Sequence, residues 1–335
     1  MATQNRPKSS NSSINNTNKH GNKNDNEKKE KEEVIPNNFI IQSWVKIYRS
    51  IPPFYLPGTH KFNVSFTMVT AALLYTFRVV SERTLFLSIL NWPPDAAQEA
   101  VGSLAASVHS LLLLPALFVA LTSQPYQLTG HMKTTPKWWQ DLVTAELQFC
   151  TGYMIYDSFA SYFVPKGILS LQGTDYLFLG HHLATIVYMT QCRYVQAGHT
   201  SAMMCMLLGE FTNPFQNANI ILNLASKFYP DSIWIAAADS TIEFGFAFFY
   251  FAIRAIIMPI FFVQVTYQLL FAETRINIPF AMRLWWIFSI FVVEVGSYDW
   301  IVESWRILLT YMPGNTSNDD YHGAADNDMI RKAEL

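Results

Sequence analysis

The chain has 335 residues, half of them hydrophobic and only 14% charged, with 25 Phe, 16 Tyr and 9 Trp. Such an aromatic, charge-poor composition sets it apart from ordinary soluble domains and points to a membrane protein. The net charge of -2 excludes a nucleic-acid binder: the Lys-rich segment 28–31 is interrupted by Glu30 and followed by Glu32 and Glu33, so no basic patch forms.

In chain order, the first element is a polar segment, 1–38, containing "NKNDNEKKEKEE". It holds too few large apolar residues to offset its chain entropy and is expected to be a disordered cytosolic tail. A charged start followed by a short apolar stretch is absent, so it does not read as a signal peptide.

Apolar runs near or above the ~18-residue length of a bilayer span then recur at 62–80, 101–121, 139–160, 175–192, 200–224, 241–270 and 280–310. These predict an all-α, multi-pass transmembrane bundle over 60–310 with about seven spans, six and eight being the alternatives. Arg254 and Pro259 predict a kink in the 241–270 run. Breaker-rich loops, "NWPPD", "TTPK" and "YPDS", separate the runs.

Basic residues near span ends set the orientation. Lys46, Arg49 and Lys61 precede the first span, Lys133 and Lys137 lie in the 122–138 loop, and Arg275 and Arg283 in the 271–283 loop. All fall on one side if the amino terminus is cytosolic; Arg78 and Arg83 go against the pattern. Seven spans would place the polar 311–335 tail in the lumen. There the final "KAEL" approximates a retrieval tetrapeptide, and the Asn315-Thr316-Ser317 sequon could carry a glycan.

Cys150, Cys192 and Cys205 fall in apolar stretches without zinc or redox spacing and read as buried small hydrophobes. The ionisable residues inside the runs are more informative, because each costs roughly 2.5 to 3.5 kcal/mol at mid-bilayer and must face protein or a watery cavity. They are His109, Glu146, Asp157, His181, His182, Glu210, Glu243, Arg254 and Glu294. Helical spacing places Glu146, Cys150, Tyr153 and Asp157 on one stripe, Glu243, Ala247, Tyr250 and Arg254 on a second, and Met206, Glu210, Asn213 and Asn217 on a third. Two uses fit the stripes: helix-to-helix hydrogen bonding, or the walls of a polar pocket. Arg254 is expected to pair with Glu210 or Asp157, since an unpaired guanidinium there is costly.

The pair His181–His182 in "LGHHLATIVYMTQ" cannot point one way, because adjacent helical residues diverge by about 100°. Thr185 neighbours both rings and is expected to hydrogen-bond one of them. A metal would want more ligands than these, and neither H-E-x-x-H nor repeated His boxes occur, so no metal or cofactor is expected. Acyl transfer through an imidazole and binding of a lipid headgroup without turnover both remain open.

Five stretches in order, "SLAASVHSLL", "GYMIYDSF", "GHHLATI", "LLGEFTNPFQN" and "FFYFAIRAIIMPI", resemble the TLC domain family, whose members include the ceramide synthases. The chain is more similar to the small TLC-domain proteins of the endoplasmic reticulum. Ceramide synthases follow the histidine pair with a carboxylate-rich motif, H-D-x-x-D-x-x-x-E in outline, whereas here only Glu210 keeps an acid and Asn213 and Asn217 stand near acidic positions. The resemblance implies a six- or seven-helix bundle around a lipid cavity in the endoplasmic reticulum membrane. It implies a role in lipid homeostasis, and membrane lipids as partners, a sphingoid base or phospholipid among them. His182, then His181, would occupy the reacting centre, supported by Asp157 and Glu210. His109, Glu146, Tyr153, Thr185, Asn213, Asn217 and Arg254 complete the expected pocket. Two alternatives stand beside this: an N-acyltransferase taking acyl-CoA as substrate, and a trafficking factor for other proteins.

Overall fold

The computed structural model describes residues 34–312 apart from 58, 60–61, 126 and 164–172. Most of the amino-terminal tail, Lys61, the sequon and the final tetrapeptide lie outside the described residues, so the expectations attached to them have no structural counterpart. Among the described residues the fold is helical, with isolated bridges at Tyr55–Asn63 and His131–Ala197 but no named strand.

Helix α1 (Phe39–Ser50) was not foreseen. The Asn38 side chain caps it, accepting from the backbone N–H of Ile40 and Ile41, and Ile41 and Val45 are buried in the main core. Helix α2 (Ser65–Ser81) runs on through a π-turn (Glu82–Ile89). Helix α3 (Pro94–Thr122) has Pro94 in its first turn, where a missing N–H costs nothing, and Asp95 beside it favoured by the helix dipole. Helix α4 (Lys137–Asp157) widens into a second π-turn (Ser158–Phe163), and α5 spans Gly173–Val195.

The apolar run at 200–224 is two helices, α6 (His199–Glu210) and α7 (Asn213–Phe228), because Pro214 cannot continue the first and instead opens the second. Gly198 turns the chain into α6 at φ +77°, a conformation other residues adopt with strain. The last two runs are long rods, α8 (Ile233–Phe271) and α9 (Phe280–Thr310). Where a kink is expected, α8 carries a π-turn at Ala252–Ile257, two residues before Pro259, which contains Arg254.

All seven expected runs therefore fold into helix. Among the described residues three helices, α3, α8 and α9, are long and apolar enough to cross a membrane. Large apolar side chains point outward elsewhere too, among them Leu73 and Leu183. Such a surface suits lipid and would aggregate in water.

Helices α3, α4, α5, α9, α8 and α7 pack in that order into a closed ring, α7 returning to α3. Helix α6 packs against α3, α4, α5 and α7, and most of its residues are buried. Helices α1 and α2 lie on α4. The loops expected to share a side do gather at one end. Arg49 and Lys137 both bind the Asp141 carboxylate, and Thr129 hydrogen-bonds Thr274 across the 122–138 and 271–283 loops. Arg78 is no flanking charge at all: it is buried in α2 and hydrogen-bonded inward.

Candidate functional site

The ring surrounds a cavity of about 1010 Å³. Asp95 and Lys227 stand at one extreme, near helix ends, and Met189 and Met258 line it deeper among the helices. Of the expected pocket residues, Tyr153, Asp157, His181, His182, Thr185, Glu210, Asn213, Asn217 and Arg254 all line it. These come from five successive helices, α4, α5, α6, α7 and α8. Cys150 and Cys205 line it as well, as free thiols.

Around His182 the arrangement is well defined. The Ser158 hydroxyl lies 2.7 Å from the Met154 carbonyl and 3.1 Å from Nδ1 of His182, where donor and acceptor follow the ring's tautomer. Nε2 faces Asp157 Oδ2 at 3.7 Å. Asp157 is held in turn by Ser161, whose hydroxyl donates to Oδ1 at 2.7 Å, and Arg78 Nη1 donates to Ser161 Oγ at 3.2 Å. A relay thus runs from α2 through the end of α4 to the histidine on α5. Local geometry makes it: the π-turn beginning at Ser158 carries adjacent residues, 157 and 158, to opposite nitrogens of one ring.

Sequence reasoning missed Arg78, Ser158 and Ser161. Arg78 was visible as a charge out of pattern; the two serines carried no signal, because serine is common in helices that merely back-bond. Thr185 does not orient either histidine, contrary to expectation. Its hydroxyl donates to the His181 carbonyl at 2.8 Å, a local helix bond.

Glu210 forms a second polar centre. Its Oε2 accepts from Ser110 at 2.7 Å and from Asn213 Nδ2 at 2.8 Å, and His109 Nδ1 lies 3.5 Å away. His109 is fully buried and does not reach the cavity. It stacks on Tyr153 at 3.9 Å between ring centroids and so stands one layer behind the wall. Asn217 donates to the Asn213 backbone carbonyl at 2.8 Å, continuing the stripe across the α6–α7 break.

Two expectations fail. Glu146 lies outside the cavity wall, fully buried, with both carboxyl oxygens unpartnered. Four residues from Cys150, it remains on the stripe, but the stripe's far end leaves the pocket for the helix interface. Arg254 pairs with neither Glu210 nor Asp157, which take their contacts from the histidines and hydroxyls above. Its guanidinium lies over the Tyr250 ring at 5.7 Å, and among the described residues Nε and Nη1 have no hydrogen-bond partner.

His181 contributes differently from its neighbour. It makes no side-chain hydrogen bond among the described residues, lies 5.9 Å from His182 between ring centroids, and lines the cavity directly.

Comparison with known proteins agrees with this architecture. A family model described as the TLC domain matches residues 100–306. The chain is also 26% identical over 231 residues to a TLC domain-containing protein of Arabidopsis thaliana, covering 69% of this chain and 85% of that relative.

Proposed function

The chain belongs to the TLC domain family, and from that premise we propose that it binds a membrane lipid in its central cavity and contributes to membrane lipid homeostasis. The observation that carries the reading is the convergence of ionisable and hydrogen-bonding side chains from five helices on one hollow of about 1010 Å³. Structural hydrogen bonding between helices needs no hollow, and an empty polar cavity at membrane depth would be costly. Its volume is at the upper end of small-molecule sites. We place the protein in the endoplasmic reticulum membrane with its amino terminus cytosolic, in keeping with the basic residues gathered at one end of the bundle.

The test is mass spectrometry of lipids retained by the purified full chain and by the His181→Ala/His182→Ala double variant. A defined set of acyl lipids, altered or lost in the variant, supports the reading. Retention of bulk membrane lipids alone by the wild type overturns it.

A second reading is favoured by one observation, the clamping of His182 at both nitrogens by Ser158 and Asp157. A ring so oriented, with Nε2 toward a lipid cavity, suits acyl transfer from acyl-CoA. Turnover of acyl-CoA with a long-chain base by purified protein, abolished by His182→Ala, is the result this reading requires.

A further inference from the structure

Arg254 is the cation of the cavity wall whose N–H groups the protein leaves without acceptors among the described residues. Asp157 accepts from Ser161 and faces His182, and Glu210 accepts from Ser110 and Asn213 and faces His109. Both carboxylates are thus served by groups other than Arg254. The guanidinium lines the same cavity, is only 8% exposed, and leaves Nε and Nη1 without hydrogen-bond partners among the described residues. Glu294 on α9 feels the charge of Arg254 and also has an unpartnered oxygen, but no hydrogen bond joins the two. The Tyr250 face beneath the guanidinium offers attraction but no hydrogen-bond acceptor along those N–H bonds.

A guanidinium cannot relieve this by losing its proton, and buried N–H groups left without acceptors carry their full desolvation cost. Its position is also not accidental. The π-turn at Ala252–Ile257 sets Arg254 in a helix segment widened ahead of Pro259, and wide turns of this kind recur at functional sites. Gly209 of α6 passes close by: a Cβ there would lie 3.9 Å from Arg254 Nη2, in ordinary contact.

We infer that the cavity takes an acyl lipid with an oxyanion head, its carboxylate or phosphate bound by the free N–H groups of Arg254. The planar fork of a guanidinium matches either anion. Apolar wall residues Met189, Met258, Phe288 and Val292 provide contact for the chain. A long-chain base, being cationic, is repelled from this position. The inference rests on the lipid-binding reading above and adds the charge of the ligand to it.

Three probes with one chain and different heads test it: palmitate, palmitoyl lysophosphatidate and monopalmitoylglycerol, titrated into the full chain in phosphatidylcholine nanodiscs and read by native mass spectrometry. A charge-assisted pair predicts that the wild type prefers an anionic head over the neutral one by roughly 10- to 100-fold. Preference for palmitate assigns a carboxylate ligand, preference for the lysophosphatidate a phosphate. Arg254→Gln should lower anionic binding to the level of the neutral probe while leaving the neutral probe unchanged, and Arg254→Lys should keep part of the preference. The order of the three probes on wild-type protein decides the matter even if Arg254→Gln does not fold. Equal binding of all three overturns the inference, leaving lipid binding intact and Glu294 as the counter-charge. Binding of none overturns both.

Discussion

Ser158 Oγ lies 3.1 Å from Nδ1 of His182, while the residue just before it, Asp157, turns its carboxylate toward the other ring nitrogen at 3.7 Å. One histidine is fixed at both nitrogens by consecutive residues of a neighbouring helix. The adjacent His181 is left without a side-chain hydrogen bond among the described residues and faces the cavity. The pair thus divides into an anchored ring and an unanchored one, and their substitutions should behave differently.

His182→Ala leaves the Ser158 hydroxyl and the Asp157 carboxylate without their partner, costing roughly 1 to 3 kcal/mol. His181→Ala removes no hydrogen bond and enlarges the cavity instead. Thermal unfolding in detergent should therefore show a lowered midpoint for His182→Ala and little change for His181→Ala, with both altering the retained lipid. Equal midpoints would mean that the contacts of His182 carry no net stability.

Ser158→Ala deletes the hydrogen-bond partner of Nδ1, leaving the Asp157 carboxylate at Nε2 as the orienting group. The ring then favours hydrogen on Nε2, and nitrogen-15 chemical shifts of labelled histidine should move toward the Nε2–H pattern in the variant. An unchanged spectrum would show that something other than this serine selects the tautomer.

Two glycines make opposite predictions. A Cβ on Gly152 would lie 2.6 Å from the Thr67 carbonyl oxygen, a backbone atom of α2 that cannot swing aside. Gly152→Ala should force α2 and α4 apart at a cost of about 1 to 3 kcal/mol. Gly180 has nothing within 4 Å of its missing Cβ and lines the cavity. Gly180→Phe should leave the fold intact and reduce lipid uptake by filling the hollow. Comparing folded yield and bound lipid for the two variants checks both statements, and loss of fold in Gly180→Phe would count against the open space assigned to it.

Glu146 is a buried carboxyl with no hydrogen-bond partner at either oxygen. Replacement of such a group by an apolar side chain of similar size is neutral or stabilising. Glu146→Leu should hold or raise the thermal midpoint without changing the retained lipid. A fall in the midpoint would show that the carboxyl bonds a group beyond the described residues.

Much of this architecture was legible in the sequence because hydrocarbon penalises ionisable groups so heavily. The seven apolar runs became helices, and nine of the eleven residues expected at the pocket line it. Periodicity identifies a face, however, and not how far along the helix that face stays open, which is why Glu146 was grouped with Tyr153 and Asp157. Pairing was harder still. Arg254 looked like the natural partner of a carboxylate, but hydroxyls and histidines had already claimed the acids, and spacing within one helix says nothing about which neighbour arrives across the bundle. Helix α1 was overlooked because at twelve residues it falls below any span threshold, although Asn38 marks its start.

The length of α8 has one more consequence. Thirty-nine residues at ~1.5 Å each make a rod of roughly 58 Å, against a hydrocarbon slab of about 30 Å. Even leaning at about 40°, the upper end of observed tilts, it rises some 45 Å, the thickness of a whole bilayer with its headgroups. Exposed Trp234 near one tip and exposed Tyr267 and Phe271 near the other are the side chains that favour those two interfacial levels. The rod cannot stand upright and stay submerged: either it slants from one headgroup layer to the other, or its ends emerge into water.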